Sequence, residues 1–412
     1  MPVAALKYWV WLQTLSGVSD PLKLALLEHF SSPEEVYFAE EQDYYQVSGI
    51  PKEQVEALLD KSMDRAEQVL ADCAKNGIFL VTMDDALYPD RLRNIFEPPI
   101  LLYGKGKMPL FDEEVALAVV GTRQCTPYGI RVAEELGYSL SKQGAMIVSG
   151  MAKGVDSAAL RGALRSGSFC TAVLGGGVDV IYPAENRWLY EDIAATGVLL
   201  SEYPPHTEPE GWHFPVRNRI ISGLSLGTVV VEAPKDRSGA LITAHTAAEQ
   251  GKDVFAVPGP IDAPMSRGCF QLIREGAVLV SSAWDVLEEY VSRYPHKLRK
   301  TDTVLSAMPG GAENAVLTAP AKKKEEPEKE EQKRPVLDLQ NCGLSSDQVR
   351  LLRQIPAEEP LLSDEIALRA EMSIHQTLSA LTLLEIGGYI AKSGARSFVR
   401  TVDIKEGIED RK

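Results

Sequence analysis

Three glycine-rich stretches carry the residue types best suited to chemistry: Gly121-Thr-Arg-Gln-Cys-Thr-Pro-Tyr-Gly, Ser149-Gly-Met-Ala-Lys-Gly-Val-Asp and Gly175-Gly-Gly-Val-Asp. Gly121, Gly150, Gly154, Gly175 and Gly176 let backbone N–H groups approach a phosphate. Thr122, Thr126 and Ser149 add hydroxyl donors, and Arg123 and Lys153 add charge. Three further basic stretches follow: Phe214-Pro-Val-Arg217-Asn218-Arg219, Arg237-Ser238-Gly239 and Ser266-Arg267-Gly268. Arg217, Arg219 and Arg267 thus join Arg123 and Lys153 as candidate phosphate contacts, with Asn218, Ser238 and Gly239 beside them. One of Arg217 and Arg219 has an equal claim to an internal ion pair with Glu202 or Glu232. Tyr182, Tyr203, Trp212 and Phe214 are near in sequence and suit either base stacking or a core.

Several other chemistries lack their signatures. No G-x-G-x-x-G opens a helix, since Gly175-Gly176-Gly177 meets Val180 where glycine is needed. Gly251-Lys252 runs into Asp253, so there is no Walker-type loop. Gly223-Leu-Ser225-Leu-Gly227 has nucleophile-elbow spacing, but an elbow needs a strand before the serine and a helix after it, the reverse of the pattern here. His29, His206, His213, His245, His296 and His375 show no metal-ligand spacing, so neither a metal nor a cofactor is expected. Many cations, hydroxyls and aromatics around glycine turns favour an extended polyanion over a mononucleotide.

These loops need a scaffold that aims them together. Apolar runs at Val115–Val120, Ala145–Val148, Cys170–Leu174, Val198–Leu200, Thr228–Glu232, Val254–Val257 and Val278–Val280 alternate with amphipathic stretches at Pro127–Lys142, Val155–Ser166, Glu185–Ala195, Ala240–Gln250 and Cys269–Glu275. Repeated βα units predict an α/β, Rossmann-like domain over residues 115–292 with a mainly parallel sheet, whose ligand lies beyond the strands' carboxyl ends. Residues 1–114 read as a helical N-terminal domain with two similar hairpin signals around Gly17 and Gly49. Its acidic residues Glu34, Glu35, Glu40, Glu41 and Asp43 favour a structural or partner-binding role over phosphate contact. Residues 293–340, with Lys322-Lys-Lys-Glu-Glu-Pro at their centre, have the composition of a disordered linker. Residues 341–404 then read as three helices and a hairpin around Gly394, a C-terminal winged helix. Its third helix presents Ser373, His375, Gln376 and Thr377 but neither Lys nor Arg at its front, which argues against reading duplex sequence.

At 412 residues, 45% hydrophobic and 25% charged, the chain is long enough for several folded domains. The formal charge is -15, and most of it falls in residues 1–114, leaving the central region room for a basic pocket. Five cysteines, Cys73, Cys125, Cys170, Cys269 and Cys342, form no C-x-x-C pair, which fits a reducing cytoplasm. Neither an export signal nor a membrane anchor is expected.

The ordered motifs carry a resemblance. Val120-Gly-Thr-Arg with Tyr128-Gly129, Ser149-Gly-x-Ala-x-Gly-x-Asp156, Val173-Leu-Gly-Gly-Gly, Tyr182-Pro-x-Glu-Asn186, Leu200-Ser-Glu-Tyr-Pro-Pro205, His213-Phe-Pro-x-Arg-Asn-Arg, Ser238-Gly-Ala-Leu-Ile-Thr and Val257-Pro-Gly259 with Ser266-Arg-Gly-Cys resemble the DNA-processing protein A (DprA/Smf) family. The resemblance implies a non-catalytic protein that binds single-stranded DNA in the Rossmann-like domain and forms a homodimer. It also implies protection of incoming DNA and loading of the RecA recombinase in natural transformation or recombination. An N-terminal domain resembling a sterile-alpha-motif or helix-hairpin-helix fold belongs to the same expectation. One departure is Leu160, where such proteins commonly carry histidine. The alternative is a Rossmann-like nucleotide phosphoribohydrolase, for which Gly223–Glu232 is a distant echo with Glu232 as the base.

Overall fold

The computed structural model describes residues 3–235, 238–300, 336–338, 344–357, 360–370, 372–392 and 397–405. It divides into two compact units, 1–303 and 304–412. The first is built on nine strands: β1 (Phe79–Thr82), β2 (Leu101–Gly106), β3 (Val115–Val120), β4 (Ala145–Ser149), β5 (Cys170–Val173), β6 (Val198–Ser201), β7 (Gly227–Val230), β8 (Asp253–Ala256) and β9 (Val278–Leu279). Their order is β1-β2-β6-β5-β4-β3-β7-β8-β9. From β6 to β9 every pairing is parallel, while β2 runs antiparallel to β6 and to β1. The expected α/β class with a mainly parallel sheet is therefore present.

β3 shows why its sequence is apolar throughout. Val115, Leu117 and Val119 face one layer with Ala133, Leu136 and Leu140 of helix 127–142. Ala116, Ala118 and Val120 face the other, with Ile220, Ile221, Ala240 and Ala244. A strand covered by helices on both faces has no polar side to alternate with. β3 is also where the winding reverses: β4, β5 and β6 extend to one side of it, and β7, β8 and β9 to the other. Beyond its carboxyl end lies the crevice such folds use for ligands.

The N-terminal part differs from an all-helical reading. Helices Val3–Thr14, Asp20–Phe30, Pro33–Phe38, Glu41–Tyr44, Lys52–Leu58 and Asp64–Asn76 are present, and Gly17 and Gly49 take the left-handed conformations their turns require (φ 84° and 75°). Phe79–Thr82 and Leu101–Gly106, however, are strands of the main sheet, because both runs are apolar and too short for a helix to bury one face. Leu101 and Tyr103 of β2 complete the core formed by Trp9, Leu12, Leu26, Tyr44 and Leu58.

The sheet unit also continues past 292: Tyr294 and Leu298 are buried in its core, so the expected linker does not begin at 293. Residues 301–335 and 339–343, which hold most of that linker, lie outside the described residues, while Val336–Asp338 is a strand paired with Asp403–Lys405. The second unit contains helices Ser346–Gln354, Ser363–Ala370 and Ile374–Ile386, close to the expected positions. Strands Ile390–Lys392 and Ser397–Arg400 pair with each other, and an unanticipated strand, Leu361–Leu362, flanks the latter. Gly394 and the turn around it lie outside the described residues.

Candidate nucleic-acid interface

The carboxyl ends of β3, β4 and β7 open onto a groove of ≈ 700 Å³ at the switch point. Gly121, Thr122, Arg123 and Gln124 line it after β3, Ala152 and Asp156 after β4, and Pro234, Ser238, Gly239 and Thr243 after β7. A smaller pocket, which shares Arg123, Tyr182 and Phe214 with it, adds Gly150, Lys153, Gly175 and Gly176. Thus most of the glycine and hydroxyl positions expected at an anion site do converge. Helices 155–165 and 239–249 start beside this lining, and the space a Cβ would take at Gly239 is open. Their N-terminal N–H groups and dipoles favour negative charge at that place.

Close packing leaves no room for a Cβ at several of these glycines. Gly154 has φ 83°, and a Cβ there would lie 2.5 Å from Thr122 O and 2.9 Å from Arg123 O, so the loops after β3 and β4 touch backbone to backbone. A Cβ at Gly150 would lie 2.5 Å from Arg217 Nη2.

The cations divide into distinct roles. Arg123 is exposed, its guanidinium 4.7 Å from the centroid of Phe214, whose ring in turn lies 5.6 Å from that of the half-exposed Tyr182. Lys153 is exposed and paired with Glu185, whose carboxyl that hydrogen bond holds below the usual range. Arg217 forms part of the floor. It is 4% exposed, donates to the carbonyls of Gly150 (2.8 Å) and Val173 and to Asn218 Oδ1 (3.2 Å), and sits beside Asp156, which accepts from the Gly150 N–H at 3.1 Å. Burial lowers its pKa to about 10 against the opposing pull of Asp156. Burial likewise raises the Asp156 carboxyl, with Arg217 opposing.

Arg219 is a correction. It lies in helix His213–Gly223, not in a loop, and its Nη2 donates to Glu202 Oε1 at 2.6 Å, outside the groove lining. A helix places residues two apart about 200° from each other, so Arg217 and Arg219 necessarily face different ways. Ser149 and Thr126 are also turned inward. Ser149 Oγ donates to Val119 O at 2.7 Å, and Thr126 Oγ1 accepts from the Gly129 N–H to cap helix 127–142. Arg267 is exposed at the start of helix Arg267–Arg274 but is absent from the groove lining. Arg237 lies outside the described residues.

Neither candidate catalytic residue is free to act. Ser225 is fully buried and donates to Ile221 O at 2.8 Å. Glu232 is 2% exposed, its two carboxylate oxygens accepting from the Thr126 N–H (2.8 Å) and hydroxyl (2.6 Å). Leu160 packs fully buried in the core of the sheet unit. Trp212 is 60% exposed near the groove, whereas Tyr203 stacks on His213 beneath it. Sequence reasoning missed the wall made by Pro209 and Gly211; the proline-rich run Pro204, Pro205 and Pro209 was its only signal. Among the described residues, no group of three or more His, Cys, Asp or Glu is arranged for a metal, and no helix is long and apolar enough to cross a membrane.

A doubly wound α/β unit with a glycine-lined groove at its switch point, into which Arg123 and Arg217 bring positive charge, defines a Rossmann-like protein. The chain belongs to the DNA recombination-mediator protein A family, whose model matches residues 79–291, and with that family goes a role in DNA processing. It is 41% identical over 235 residues to the DNA processing protein DprA of Bacillus subtilis, covering 57% of this chain and 79% of that protein. It is 47% identical over 206 residues to the DprA of Streptococcus pneumoniae, covering 50% of this chain and 72% of that one. The solved structure of DNA processing protein A from Streptococcus pneumoniae superposes with a TM-score of 0.62 at 37% identity, covering 69% of this chain and 97% of its own.

Proposed function

We propose that the protein binds single-stranded DNA in the switch-point groove, without base-specific reading, and that it protects incoming DNA and helps load RecA recombinase as a cytoplasmic homodimer. The observation that carries the DNA-binding reading is Arg123 over Phe214, with Tyr182 next to it. A charge for phosphate and flat surface for a base stand side by side at the mouth of a glycine-lined groove. Lys153 and the starts of helices 155–165 and 239–249 supply further phosphate contacts, and Arg217 gives the floor a fixed positive charge. A single strand exposes base faces that a duplex hides, so this combination favours the unpaired form. The homodimer and RecA loading rest on family membership. We read the second unit as a winged helix.

Anisotropy titration of a labelled oligo-dT and of a duplex of equal length, repeated over a salt series, tests the reading. For about four phosphates contacted, log K against log salt should fall with a slope of about −3 for the single strand. Equal affinity for duplex, or a flat salt response, overturns it. Sedimentation of the full chain at micromolar concentration tests the dimer.

A further inference from the structure

The loop after β5 belongs to two places at once. Gly175 and Gly176 line the groove, while Val178, two residues on, is fully buried in the N-terminal core with Trp9, Tyr44 and Leu101. Asp179 follows, and its carboxylate holds His206: Oδ1 accepts from the His206 N–H at 2.9 Å, and Oδ2 lies 2.7 Å from Nδ1. The other ring nitrogen, Nε2, lies 3.6 Å from Oδ2 of Asp72, on helix Asp64–Asn76 of the N-terminal region. His206 therefore stands between a carboxylate of the helical region and one of the groove loop.

The segment carrying His206 is itself groove wall. Gly177 N–H donates to Thr207 O at 2.9 Å, a Cβ on Gly176 would lie 2.8 Å from the same carbonyl, and Pro209 lines the groove. His206 adopts φ 65° as the third residue of a turn from Pro204 to Thr207, which the Thr207 N–H closes on Pro204 O at 3.3 Å; a turn with proline second and a left-handed residue third follows the type II pattern, and it holds the ring in place. The polar contacts of the ring are the two carboxylates, and the side chain is otherwise 62% exposed.

We propose that His206, held between Asp72 and Asp179, is a positioning residue that sets the groove wall from the N-terminal helices, so that a change in those helices alters the grip on DNA. The inference rests on the DNA-binding reading above, and it makes the N-terminal region a control element of the groove. Asp72 and Asp179 are the charged groups facing the ring, and the buried Cys73 is the next residue along the helix.

The test uses three variants of the full chain with oligo-dT as probe. His206→Gly keeps the backbone conformation and deletes both contacts. His206→Asn tolerates a left-handed φ and places an amide near the position of Nδ1, restoring the Asp179 contact alone. Asp72→Ala removes the link to the helices together with the exposed Gln68 Nε2 hydrogen bond to Asp72 Oδ2 (3.0 Å) within the same helix. We expect His206→Gly and Asp72→Ala to weaken binding about three- to tenfold with the salt slope unchanged, because no phosphate contact is lost. His206→Asn, which lacks the Asp72 link just as Asp72→Ala does, should match Asp72→Ala and so recover only part of the affinity lost in His206→Gly. Hydrogen exchange at the Gly177 amide should quicken in His206→Gly and recover in His206→Asn; loss of stability alone would not produce that local, rescuable change. An unchanged Gly177 exchange rate in His206→Gly overturns the clamp whether or not the wild-type chain binds DNA. Wild-type affinity in Asp72→Ala overturns the coupling to the helices. Failure of the wild-type chain to bind oligo-dT overturns the DNA reading separately.

Discussion

Arg219 Nη2 donates to Glu202 Oε1 across 2.6 Å, and with side chains 11% and 6% exposed the two charges belong to the interior. Burial works against the Arg219 charge, but Glu202 outweighs it and holds the guanidinium protonated. Removing one member of such a pair leaves the other charged and uncompensated, at about 3–5 kcal/mol. Arg219→Ala should therefore lower the melting temperature sharply. Affinity for oligo-dT, measured where the variant is still folded, should change less than about threefold. An unchanged melting curve with lost affinity would return Arg219 to the groove.

Arg123→Ala should show the reverse pattern. The side chain is exposed, with ring contact to Phe214 and no ion pair among the described residues, so folding loses little. A charge-assisted phosphate contact contributes on the order of 1.5–3 kcal/mol, about ten- to a hundredfold in affinity, and its loss should make the salt slope shallower by about 0.7. Parallel melting and salt titrations separate the two arginines. Wild-type affinity in Arg123→Ala would remove the residue from the site.

Stacking is tested best at Tyr182. Phe214 also packs against Gly175, where a Cβ would lie 2.9 Å from Cδ1, so Phe214→Ala perturbs the loop as well as the surface. Tyr182 is 47% exposed and stands beside it. Tyr182→Ala should weaken single-strand binding by about 1–3 kcal/mol, Tyr182→Phe should leave it intact, and the salt slope should be the same in both. Equal loss in the phenylalanine variant would mean that the hydroxyl, not the ring face, makes the contact.

Much of this architecture is legible in the sequence, for identifiable reasons. β3 is an unbroken apolar run, β4 and β5 are broken only by Ser149 and Thr171, glycine follows each within two residues, and helix Pro127–Lys142 announces itself with Thr126 and Pro127 at its start. The same features place Gly121, Gly150 and Gly175 at strand ends, where ligands gather. What escapes is the direction of side chains. Spacing names Arg217 and Arg219 together, but only the helix through His213–Gly223 shows that one forms the groove floor and the other turns to Glu202. Ser149 and Thr126 have the right type, yet each hydroxyl bonds inward, Ser149 to the Val119 carbonyl on β3 and Thr126 to Glu232. β1 and β2 are hidden because an antiparallel edge added from the N-terminal region leaves no βα rhythm.

Acid stability should depend in part on Asp285, at the close of the sheet unit. Its Oδ2 accepts from the Ser281 N–H (2.6 Å), the Ser281 hydroxyl (2.7 Å) and the Ser282 N–H (2.8 Å), and its Oδ1 from the Ser282 hydroxyl (2.9 Å). Burial alone would raise the carboxyl, but the four donors outweigh it and hold the group below its ordinary 3.8. A depressed folded-state pKa stabilises the fold above the unfolded value, and that contribution disappears as pH falls through the folded one. Asp285 anchors the start of helix Trp284–Leu287, whose Val286 and Leu287 are fully buried against the sheet. Asp285→Asn should therefore lower stability by on the order of 2 kcal/mol at neutral pH, read as a shift in urea midpoint. The gap from wild type should narrow as the pH drops below about 4, where the carboxylate of the unfolded chain begins to protonate while the folded one still resists. A gap that persists undiminished at pH 3 would show that the four donors hold the neutral acid as well as the carboxylate, and would refute the assignment.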